Sequence, residues 1–426
     1  NGGAAVRAIC MLPALAGAWK QLGGGLQLST SGAFAFNRQA LERPDLMGKS
    51  PLGRPARIVN MSRLGHALTE LGQAEEEGAE RTAPVKALFV YNSNPAAIAP
   101  NQNAVLRGLR RSDLFTVVHE QFFNDTTDYA DIVLPATTFL EDKDIQGAYG
   151  HYYVQLSEQA IAPLGEARSN VWLFGQLGQR MGFSEACFRE TAEDLIAQAL
   201  SPAVGSGNSM PADPAAPWMN GITPERLQRE KRVRLQFDEE RVGRPFLPFA
   251  EGGFATPSGK AEFYSEALAA QGLDAMPVFR PPEESRRGSA AGAYPLEFLP
   301  RKAGNFMNST FAGLPGHRKL EVESAGVLEM HPGDAAARQI ENGDAVLVYN
   351  ERGRIPLRAR VNGKAPPGVV AASLDWNKLS AGGGNVNALT SERLTDLGRG
   401  PTFYSTLVEV RKLTRDEAQK LFSPID

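Results

Sequence analysis

The sequence predicts an α/β domain with a parallel sheet, followed by a mostly-β barrel domain. Strand, helix, strand, short helix and strand patterns alternate between residues 85 and 135, as in parallel βαβ units. Beyond residue 294 the pattern changes to short β strands and a hairpin. A length of 426 residues suits two or three domains.

The first apolar stretch, AAVRAICMLPALAGAW (4–19), predicts a buried helix that is broken at Pro13. The stretch is too short for a membrane span, and no other segment reaches the required length of about 18 apolar residues. The chain begins inside this helix and without methionine. We therefore expect it to be a piece of a longer protein.

The α/β region contains strands at 85–91, 114–120 and 131–135, with a helix at 102–111. In an open parallel sheet, ligands bind beyond the carboxyl ends of the strands, and right-handed crossovers bring those ends to one edge. Here the ends are residues 92–95, 119–120 and 135–138, with several acidic residues around them. The sequence therefore predicts a ligand site at this edge.

The remaining elements follow in order along the chain. A helix is predicted at 166–183, with Ser169 or Asn170 as its N-cap and Gly182 as its stop, and a loop or lid at 201–224. Later come a linker at 280–295, a short helix at 331–340, a hairpin at 343–361, and strands in PPGVVAASLDW and STLVEVRK. The predicted domains are an α/β domain (1–200), a connecting region (201–293), a barrel (294–413) and a tail (414–426).

Composition and motifs exclude several classes of function. The net charge of -3 does not support nucleic-acid binding. Cys10 and Cys187 form no CxxC, and the five histidines have no short metal-ligand spacing, so a metal would be held mainly by something other than this chain's Cys and His. There is no GxGxxG, Arg43 stands where a P-loop ending in MGKS needs glycine, and no GxSxG marks a nucleophile. A Ser-His-Asp arrangement remains open.

Several motifs occur in a characteristic order: YNSNPAAIAP, HEQF, TDYADIVLPATTFLEDKD and APLGEARSNVW, then PLEFLPRKAGNFMNST and HPGDAAARQIENGDAVLVYNERG. This order resembles the bis-molybdopterin guanine dinucleotide oxidoreductases, the dimethyl sulfoxide reductase and formate dehydrogenase family, from about residue 1 to 413 and more weakly across 185–290. The resemblance implies a Rossmann-like α/β domain and a double-psi-like barrel. It also implies that this is the C-terminal portion, so an iron–sulfur cluster and the metal's protein ligand would lie in a missing N-terminal half.

The resemblance implies cofactor-binding residues but no catalytic or metal-ligating residue in this chain. Residues at strand and helix ends would hold the guanosine: Asn92, Asn94, His119, Glu120, Lys143, Asp144 and Asn170. The loop after residue 300 would hold the pyrophosphate and the pterin edges: Arg301, Lys302, Asn305, Asn308, Ser309 and Thr310. Late contacts would come from Asn387 and Tyr404, with Trp376 towards the substrate. Each also has an ordinary interpretation as a solvated acid, a turn residue, a helix cap or a polar loop.

The leading hypothesis is an oxidoreductase that transfers two electrons with an oxygen atom or proton at molybdenum or tungsten. Its partners would be a small-molecule substrate, an electron-transfer protein and the missing N-terminal half, with no nucleic acid and no membrane span. A non-catalytic scaffold related to the large subunit of respiratory complex I is the alternative, and an NAD dehydrogenase is disfavoured by the absent glycine motif. The compartment, cytoplasmic or periplasmic, stays open. Alone, the chain is expected to be folded, empty and without redox activity.

Overall fold

The computed structural model describes residues 2–48, 53, 56–72, 83–201, 217–237, 247, 249–321, 325–373 and 384–422. They form two compact units. The first comprises Asn1–Ala4, Ile58–Leu134 and Phe279–Asp426, and the second comprises Ala5–Arg57 and Pro135–Val278. The predicted linker at 280–295 thus begins beside a boundary between units, whereas the predicted domain boundaries at 200, 293 and 413 remain predictions.

The described residues contain the following helices and strands. The α helices are α1 (Gly2–Leu15), α2 (Arg38–Glu42), α3 (Pro44–Met47), α4 (Leu64–Thr69), α5 (Pro95–Ile98), α6 (Gln102–Leu109), α7 (Asn170–Arg180), α8 (Ala192–Leu200), α9 (Pro224–Glu230), α10 (Glu266–Ala270), α11 (Pro315–Glu321), α12 (Pro332–Ala336) and α13 (Arg415–Phe422). The strands are β1 (Ala87–Tyr91), β2 (Phe115–Glu120), β3 (Ile132–Pro135), β4 (Asp144–Gln146), β5 (Tyr153–Ser157), β6 (Arg232–Arg234), β7 (Leu296–Arg301), β8 (Val327–Met330), β9 (Ala345–Tyr349), β10 (Arg354–Val361), β11 (Val369–Ser373) and β12 (Leu407–Lys412).

The first unit contains the predicted parallel sheet, with strand order β1-β2-β3. Strands β1 and β2 pair in parallel from Ala87 opposite Phe115 to Tyr91 opposite His119, so their carboxyl ends share one edge, as predicted. Helices α4 and α6 pack closely because each has a glycine at their contact, Gly65 against Ala104 and Gly108 against Leu68. A Cβ on Gly108 would lie 2.3 Å from the Cβ of Leu68, a distance that real side chains do not tolerate.

The same unit contains the predicted barrel, which is closed in the order β10-β8-β11-β7-β12-β9. Its core is built from fully buried apolar side chains on alternate strand positions, including Phe298, Leu328, Met330 and Ile355. The predicted hairpin is confirmed by the antiparallel pairing of β9 and β10, with Arg354 opposite Tyr349. The predicted short helix corresponds to α12, and the two late strands correspond to β11 and β12.

The hairpin turn of the barrel packs against helix α6 within the first unit. The Nδ2 atom of Asn103 donates a hydrogen bond to the carbonyl oxygen of Arg352 at 3.0 Å. Next to it, a Cβ on Gly353 would lie 2.5 Å from that same Nδ2 atom and 2.6 Å from the carbonyl oxygen of Ala388. Glycine is therefore required for the close approach of the barrel turn to the α/β sheet region.

The second unit has an antiparallel three-stranded sheet, in the order β4-β5-β6. Val154, Leu227, Val233 and Leu235 form part of its core. The predicted helix after residue 166 is α7, and the Oγ atom of Ser169 caps it by accepting from the backbone nitrogen of Trp172 at 3.2 Å. Most of the predicted loop at 201–224 falls outside the described residues, which resume with a short 3-10 helix at Pro217–Met219.

The prediction for the first apolar stretch was wrong in two respects. Helix α1 continues past Pro13 to Leu15, because a proline in the last turn removes only one helical hydrogen bond. None of its residues is buried, and Val6, Ile9 and Leu12 are more than half exposed at 59%, 52% and 61%. Apolarity indicated burial, but the described residues leave the side of the helix that carries Val6, Ile9 and Leu12 exposed. Within the described residues, every helix is too short or too polar to cross a membrane.

Candidate functional site

A cavity of about 390 Å³ lies within the first unit, at the carboxyl end of β1. One wall comes from β1 and α5, including Phe89, Tyr91, Ser93 and Ile98. The facing wall comes from loops of the barrel domain, including Lys302, Asn308, Asn387, Phe403 and Tyr404. The cavity therefore forms where the ligand edge of the parallel sheet meets the barrel.

Four predicted site residues line this cavity together: Lys302, Asn308, Asn387 and Tyr404. Lys302 directly follows β7 and is exposed, as is Tyr404 at 63%. Asn308 lies in a tight turn, in which the backbones of Met307 and Thr310 exchange hydrogen bonds of 3.1 and 3.0 Å. The structure thus brings together a cation, amide groups and a phenol, while the rest of the lining is mainly apolar.

Left-handed backbone conformations are concentrated around the cavity. Asn308 has a φ of 55°, and Asn92 and Asn101, which are chain neighbours of lining residues, each have a φ of 51°. Arg399, two residues before the lining residue Pro401, has a φ of 50°. Such conformations are strained for residues other than glycine and persist only where surrounding contacts hold them. At Arg399 the carbonyl oxygen accepts from the Nδ2 atom of Asn60 at 2.8 Å. This bond connects the segment before Met61 to the segment before Pro401, and both Met61 and Pro401 line the cavity.

The Asn387 side chain belongs to the wall of the cavity. It is 1% exposed, its Nδ2 atom donates to the carbonyl oxygen of Ala97 at 2.9 Å, and its Oδ1 atom accepts from Thr390 Oγ1 at 3.2 Å. Asn385 donates to the same Ala97 oxygen, also at 2.9 Å. The amide of Asn387 is thus engaged within the protein, and its contact with a cofactor stays a prediction.

His119 lies next to Tyr91 in the sheet register and is 2% exposed. Its Nδ1 atom is 3.2 Å from the carbonyl oxygen of Leu134, so Nδ1 must carry the proton and donate. Burial lowers the pKa of this imidazole, which favours the neutral ring. The buried Nε2 atom then has a free lone pair, with no hydrogen-bond partner in the described parts of the chain. A buried acceptor of this kind suits an N–H group, but His119 is not among the residues that line the cavity, so its contact with a cofactor stays a prediction.

Two other predicted residues lie at the carboxyl ends of the sheet strands: Glu120 is the last residue of β2, and Asn94 follows β1. Glu120 accepts from the backbone nitrogen of Gln121 at 2.7 Å and from Asn124 Nδ2 at 3.0 Å, and burial raises the pKa of its carboxyl group. Asn94 is buried, and its Oδ1 atom accepts from Thr126 Oγ1 at 2.7 Å. Asn94 therefore links the loops after β1 and β2 and constrains their conformation at the edge of the sheet.

The remaining predicted residues of the barrel loop do not line the cavity. Arg301 pairs with Glu329 at 3.1 Å, which offsets the positive charge predicted there. The backbone of Asn305 is held at both ends, since its nitrogen donates to Glu321 and its oxygen accepts from His317 Nδ1 at 2.9 Å. Ser309 accepts from the backbone nitrogen of Ala312, and Thr310 closes the turn with Met307. Lys302 is consequently the cation of this loop that reaches the cavity.

Three predicted residues lie in the second unit. Lys143 pairs with Glu193 at 3.0 Å rather than with a neighbouring aspartate. Asp144 begins β4, and its carboxylate accepts from the backbone nitrogen of Ile145 at 2.7 Å. Asn170 is the first residue of α7, after the capping Ser169. Their predicted proximity to Glu120 stays a prediction, and Trp376 lies outside the described residues.

Sequence reasoning missed part of the cavity lining, including Met61, Tyr91, Ser93 and Phe403. Tyr91 and Ser93 flank the predicted strand end and could have been found from that position. Met61 follows no recognisable motif, because its place depends on the long-range bond between Asn60 and the loop at Arg399. Among the described residues, no group of three or more His, Cys, Asp or Glu side chains is arranged to hold a metal ion.

Two protein-family models match this chain. Residues 296–407 match the molydopterin dinucleotide-binding domain, and residues 1–180 match the molybdopterin oxidoreductase domain. The chain belongs to the molybdopterin oxidoreductase family. The resemblance to the dimethyl sulfoxide reductase type is thereby confirmed, and the closed barrel of this family member corresponds to its dinucleotide-binding domain.

Individual relatives of this chain are consistent with the family assignment. The "Probable oxidoreductase YoaE" of Bacillus subtilis (strain 168) is 37% identical over 97% of this chain and 55% of its own length. The "Dimethyl sulfoxide reductase DmsA" of Escherichia coli (strain K12) is 26% identical over 97% of this chain and 52% of its own length. The chain thus spans about half the length of these curated relatives. The solved "Acetylene Hydratase from Pelobacter acetylenicus" shares the fold, with a TM-score of 0.62 and 24% identity over 91% of this chain and 51% of that structure.

Proposed function

We propose that this chain is the cofactor-holding portion of an oxidoreductase that uses bis-molybdopterin guanine dinucleotide with molybdenum or tungsten. The reaction would be a two-electron transfer coupled to an oxygen atom or a proton. The observation that carries the proposal is the cavity itself, in which the ligand edge of the parallel sheet faces Lys302, Asn308 and Tyr404 of the dinucleotide-binding domain. The Rossmann-like and double-psi-like classes are part of the same proposal.

The residues present fit such a cofactor. Its guanine and pterin rings carry N–H donors, for which the buried lone pair of His119 Nε2 is a suitable acceptor. Its pyrophosphate is anionic, and Lys302 offers a cation at the mouth of the cavity. When bound, the cofactor would supply the redox chemistry of its metal.

In this proposal the chain's own residues bind and orient. Lys302 offsets phosphate charge, Asn308 offers polar groups beside it, and Tyr404 contacts the cofactor through its ring or hydroxyl group. The buried hydrogen bond from Asn387 to Ala97 joins the two walls of the site, and that from Thr126 to Asn94 holds the loops after β1 and β2 together. The apolar lining, with Phe89 and Phe403, excludes water from the bound rings.

Glu120 and Asn170 are proposed to contact the guanosine, since a carboxylate accepts from the N1 and N2 edge of guanine. Asn92, Lys143 and Asp144 would complete this end of the site, and Arg301, Asn305, Ser309 and Thr310 would support the pyrophosphate loop. The metal's protein ligand, an electron-transfer partner and any iron–sulfur cluster would belong to polypeptide outside this chain. The chain alone is therefore proposed to be folded, free of cofactor and inactive.

A non-catalytic scaffold related to the large subunit of respiratory complex I is the second candidate. It is favoured by the internal hydrogen bonds of Asn94 and Asn387 and by the Arg301–Glu329 pair, because a scaffold needs no polar groups free for a ligand. The free lone pair of His119 and the lining position of Lys302 favour the cofactor-binding function instead.

The experiment is to replace Glu120 and Asn170 separately by alanine in the complete gene product that contains this chain. The expected result is less guanine nucleotide per protein, with an unchanged unfolding midpoint. Glu341→Ala, which alters an exposed acid of the barrel outside the cavity lining, is the matched control. Full nucleotide content in both variants would contradict the assigned roles.

A further inference from the structure

Helix α1 has the reverse orientation of an ordinary surface helix. Its charged side chain contacts the protein, and three of its apolar side chains face outward. Arg7 donates from Nη1 to the carbonyl oxygen of Asp274 at 3.0 Å and from Nη2 to that of Ala275 at 2.6 Å. Val6, Ile9 and Leu12 are 59%, 52% and 61% exposed. Their spacing of three residues places them on one side of the helix, away from Arg7. We call Val6, Ile9 and Leu12 the outward face.

A surface helix normally turns charged residues to water and apolar residues to the core. The outward face reverses this pattern, so exposing it to water forfeits the favourable burial of three large apolar side chains. Such faces mark sites of association. The helix also has no buried residue at all, although 14 residues take part in it.

A lipid surface does not fit the outward face. Interfacial helices combine an apolar face with a polar face rich in Lys and Arg that meets the headgroups. The charged residue of α1 is Arg7, and its guanidinium group is already bound to two backbone carbonyls. At 14 residues the helix is also shorter than the roughly 20 needed to span a bilayer.

Family members with long matches to this chain carry much more polypeptide. The match with the YoaE relative covers 97% of this chain but 55% of the relative, and the "Probable oxidoreductase YyaE" of Bacillus subtilis (strain 168) gives 97% and 56%. We propose that the outward face of α1 is the docking surface for this additional polypeptide, supplied in the same chain or as a separate one. The inference depends on the family assignment and stands even if the cofactor assignment fails.

Cys10 provides a probe of this surface. It is an exposed thiol, one residue after Ile9 and four after Val6, so it borders the outward face. Cys187, which is partly exposed in the same unit, provides an internal reference. The rate at which a maleimide reagent modifies Cys10, relative to Cys187, therefore reports whether the outward face is covered.

The experiment compares this chain alone with the chain joined to the part of YoaE that lies outside the match, in the order found in that relative. A second format mixes the two parts as separate proteins. We expect modification of Cys10 to slow by at least about tenfold in one or both formats, as when a covered state reaches about 90% occupancy. Ile9→Lys should restore fast modification. Leu28→Lys, at a fully exposed apolar position outside the outward face, should leave the protection unchanged.

Three results would overturn the proposal. The first is unchanged modification of Cys10 in both formats. The second is protection in the chain alone that grows with protein concentration and disappears with Ile9→Lys, since this would assign the face to a second copy. The third is protection of the chain alone by phosphatidylcholine vesicles, which would assign the face to lipid.

Discussion

The Nδ2 atom of Asn387 donates a hydrogen bond of 2.9 Å to the carbonyl oxygen of Ala97, 290 residues away in sequence. The bond joins the barrel domain to helix α5, and residues of both line the cavity. The width of the cavity thus depends on buried hydrogen bonds between the α/β sheet region and the barrel.

Asn387→Ala is expected to destabilise the chain by about 1–3 kcal/mol, because it removes a buried amide and leaves Thr390 Oγ1 with one acceptor fewer. The check is urea-induced unfolding followed by fluorescence. Asn362→Ala, which removes only an exposed hydrogen bond from the backbone nitrogen of Lys364, is the control and should change the free energy of unfolding by about 1 kcal/mol or less. Equal losses of unfolding free energy in the two variants would show that the buried hydrogen bond to Ala97 stabilises the fold no more than an exposed side chain does.

Two glutamates that are adjacent in sequence differ in burial, so their replacement should differ in its cost to stability. Glu284 pairs with Arg352 at 2.6 Å, with side chains 7% and 14% exposed, whereas Glu283 pairs with Arg393, with side chains 65% and 51% exposed. Glu284→Ala leaves the buried guanidinium with only the half-exposed Glu351 and the carbonyl oxygen of Leu389, and should cost about 1.5–3 kcal/mol of unfolding free energy. Glu283→Ala should cost about 1 kcal/mol or less. Urea titrations of both variants test this, and a similar loss in each would refute a stabilising role for the buried pair.

His119 should make the folded state sensitive to mild acid. Burial lowers its pKa in the folded chain, so the unfolded chain binds the proton more readily, and the free energy of unfolding falls as pH drops below about 6.5. The slope can reach about 1.4 kcal/mol per pH unit for one proton. Unfolding curves from about pH 7.5 to about pH 5.5 measure it.

His119→Asn keeps a side-chain donor for the carbonyl oxygen of Leu134 but does not titrate, so its acid slope should be smaller than that of the natural chain. Glu120 acts in the opposite direction, because burial raises its pKa and its protonation at lower pH favours the folded state. Identical slopes for the natural chain and the variant would mean that His119 is not the group responsible.

The fold was predictable where local pattern and tertiary packing agree. Strands β1, β2 and β9 to β12 are short β-favouring runs between turn residues, and burial of their apolar side chains holds them in place. Helix α1 shows the limit of this reasoning, because apolar composition cannot reveal whether a covering element is present. The sequence predicted its helical state and failed on its burial.

The candidate site was predictable only in part. The ends of parallel strands must share an edge, which correctly placed His119 beside Tyr91. The internal partners of Asn94, Arg301 and Asn387 could not be read from the sequence, since Thr126, Glu329 and Ala97 are brought close only by folding. Polar residue types indicated a ligand site without distinguishing residues that contact a ligand from residues that build its walls.

Replacing either of two lysines in the barrel domain should have different effects on how much cofactor is retained. Lys302 lines the cavity, whereas Lys319 is an exposed residue of α11 outside the lining. In the complete gene product, Lys302→Ala should lower the guanine nucleotide retained after purification by severalfold, since a hydrogen bond to a charged group contributes about 1.5–3 kcal/mol. Lys319→Ala should retain the natural amount. Equal retention in both variants would remove Lys302 from the proposed pyrophosphate site.

The most direct measurement is the content of guanine nucleotide and of molybdenum or tungsten in the purified complete gene product, set beside that of this chain alone. We expect the complete product to release guanine nucleotide and metal in a constant ratio across preparations. We expect this chain alone, folded, to contain neither, because it offers only part of the binding surface. A complete, folded product without nucleotide and metal would contradict the cofactor-binding function. Stoichiometric metal in this chain alone would contradict the proposal that it is only a portion of the site.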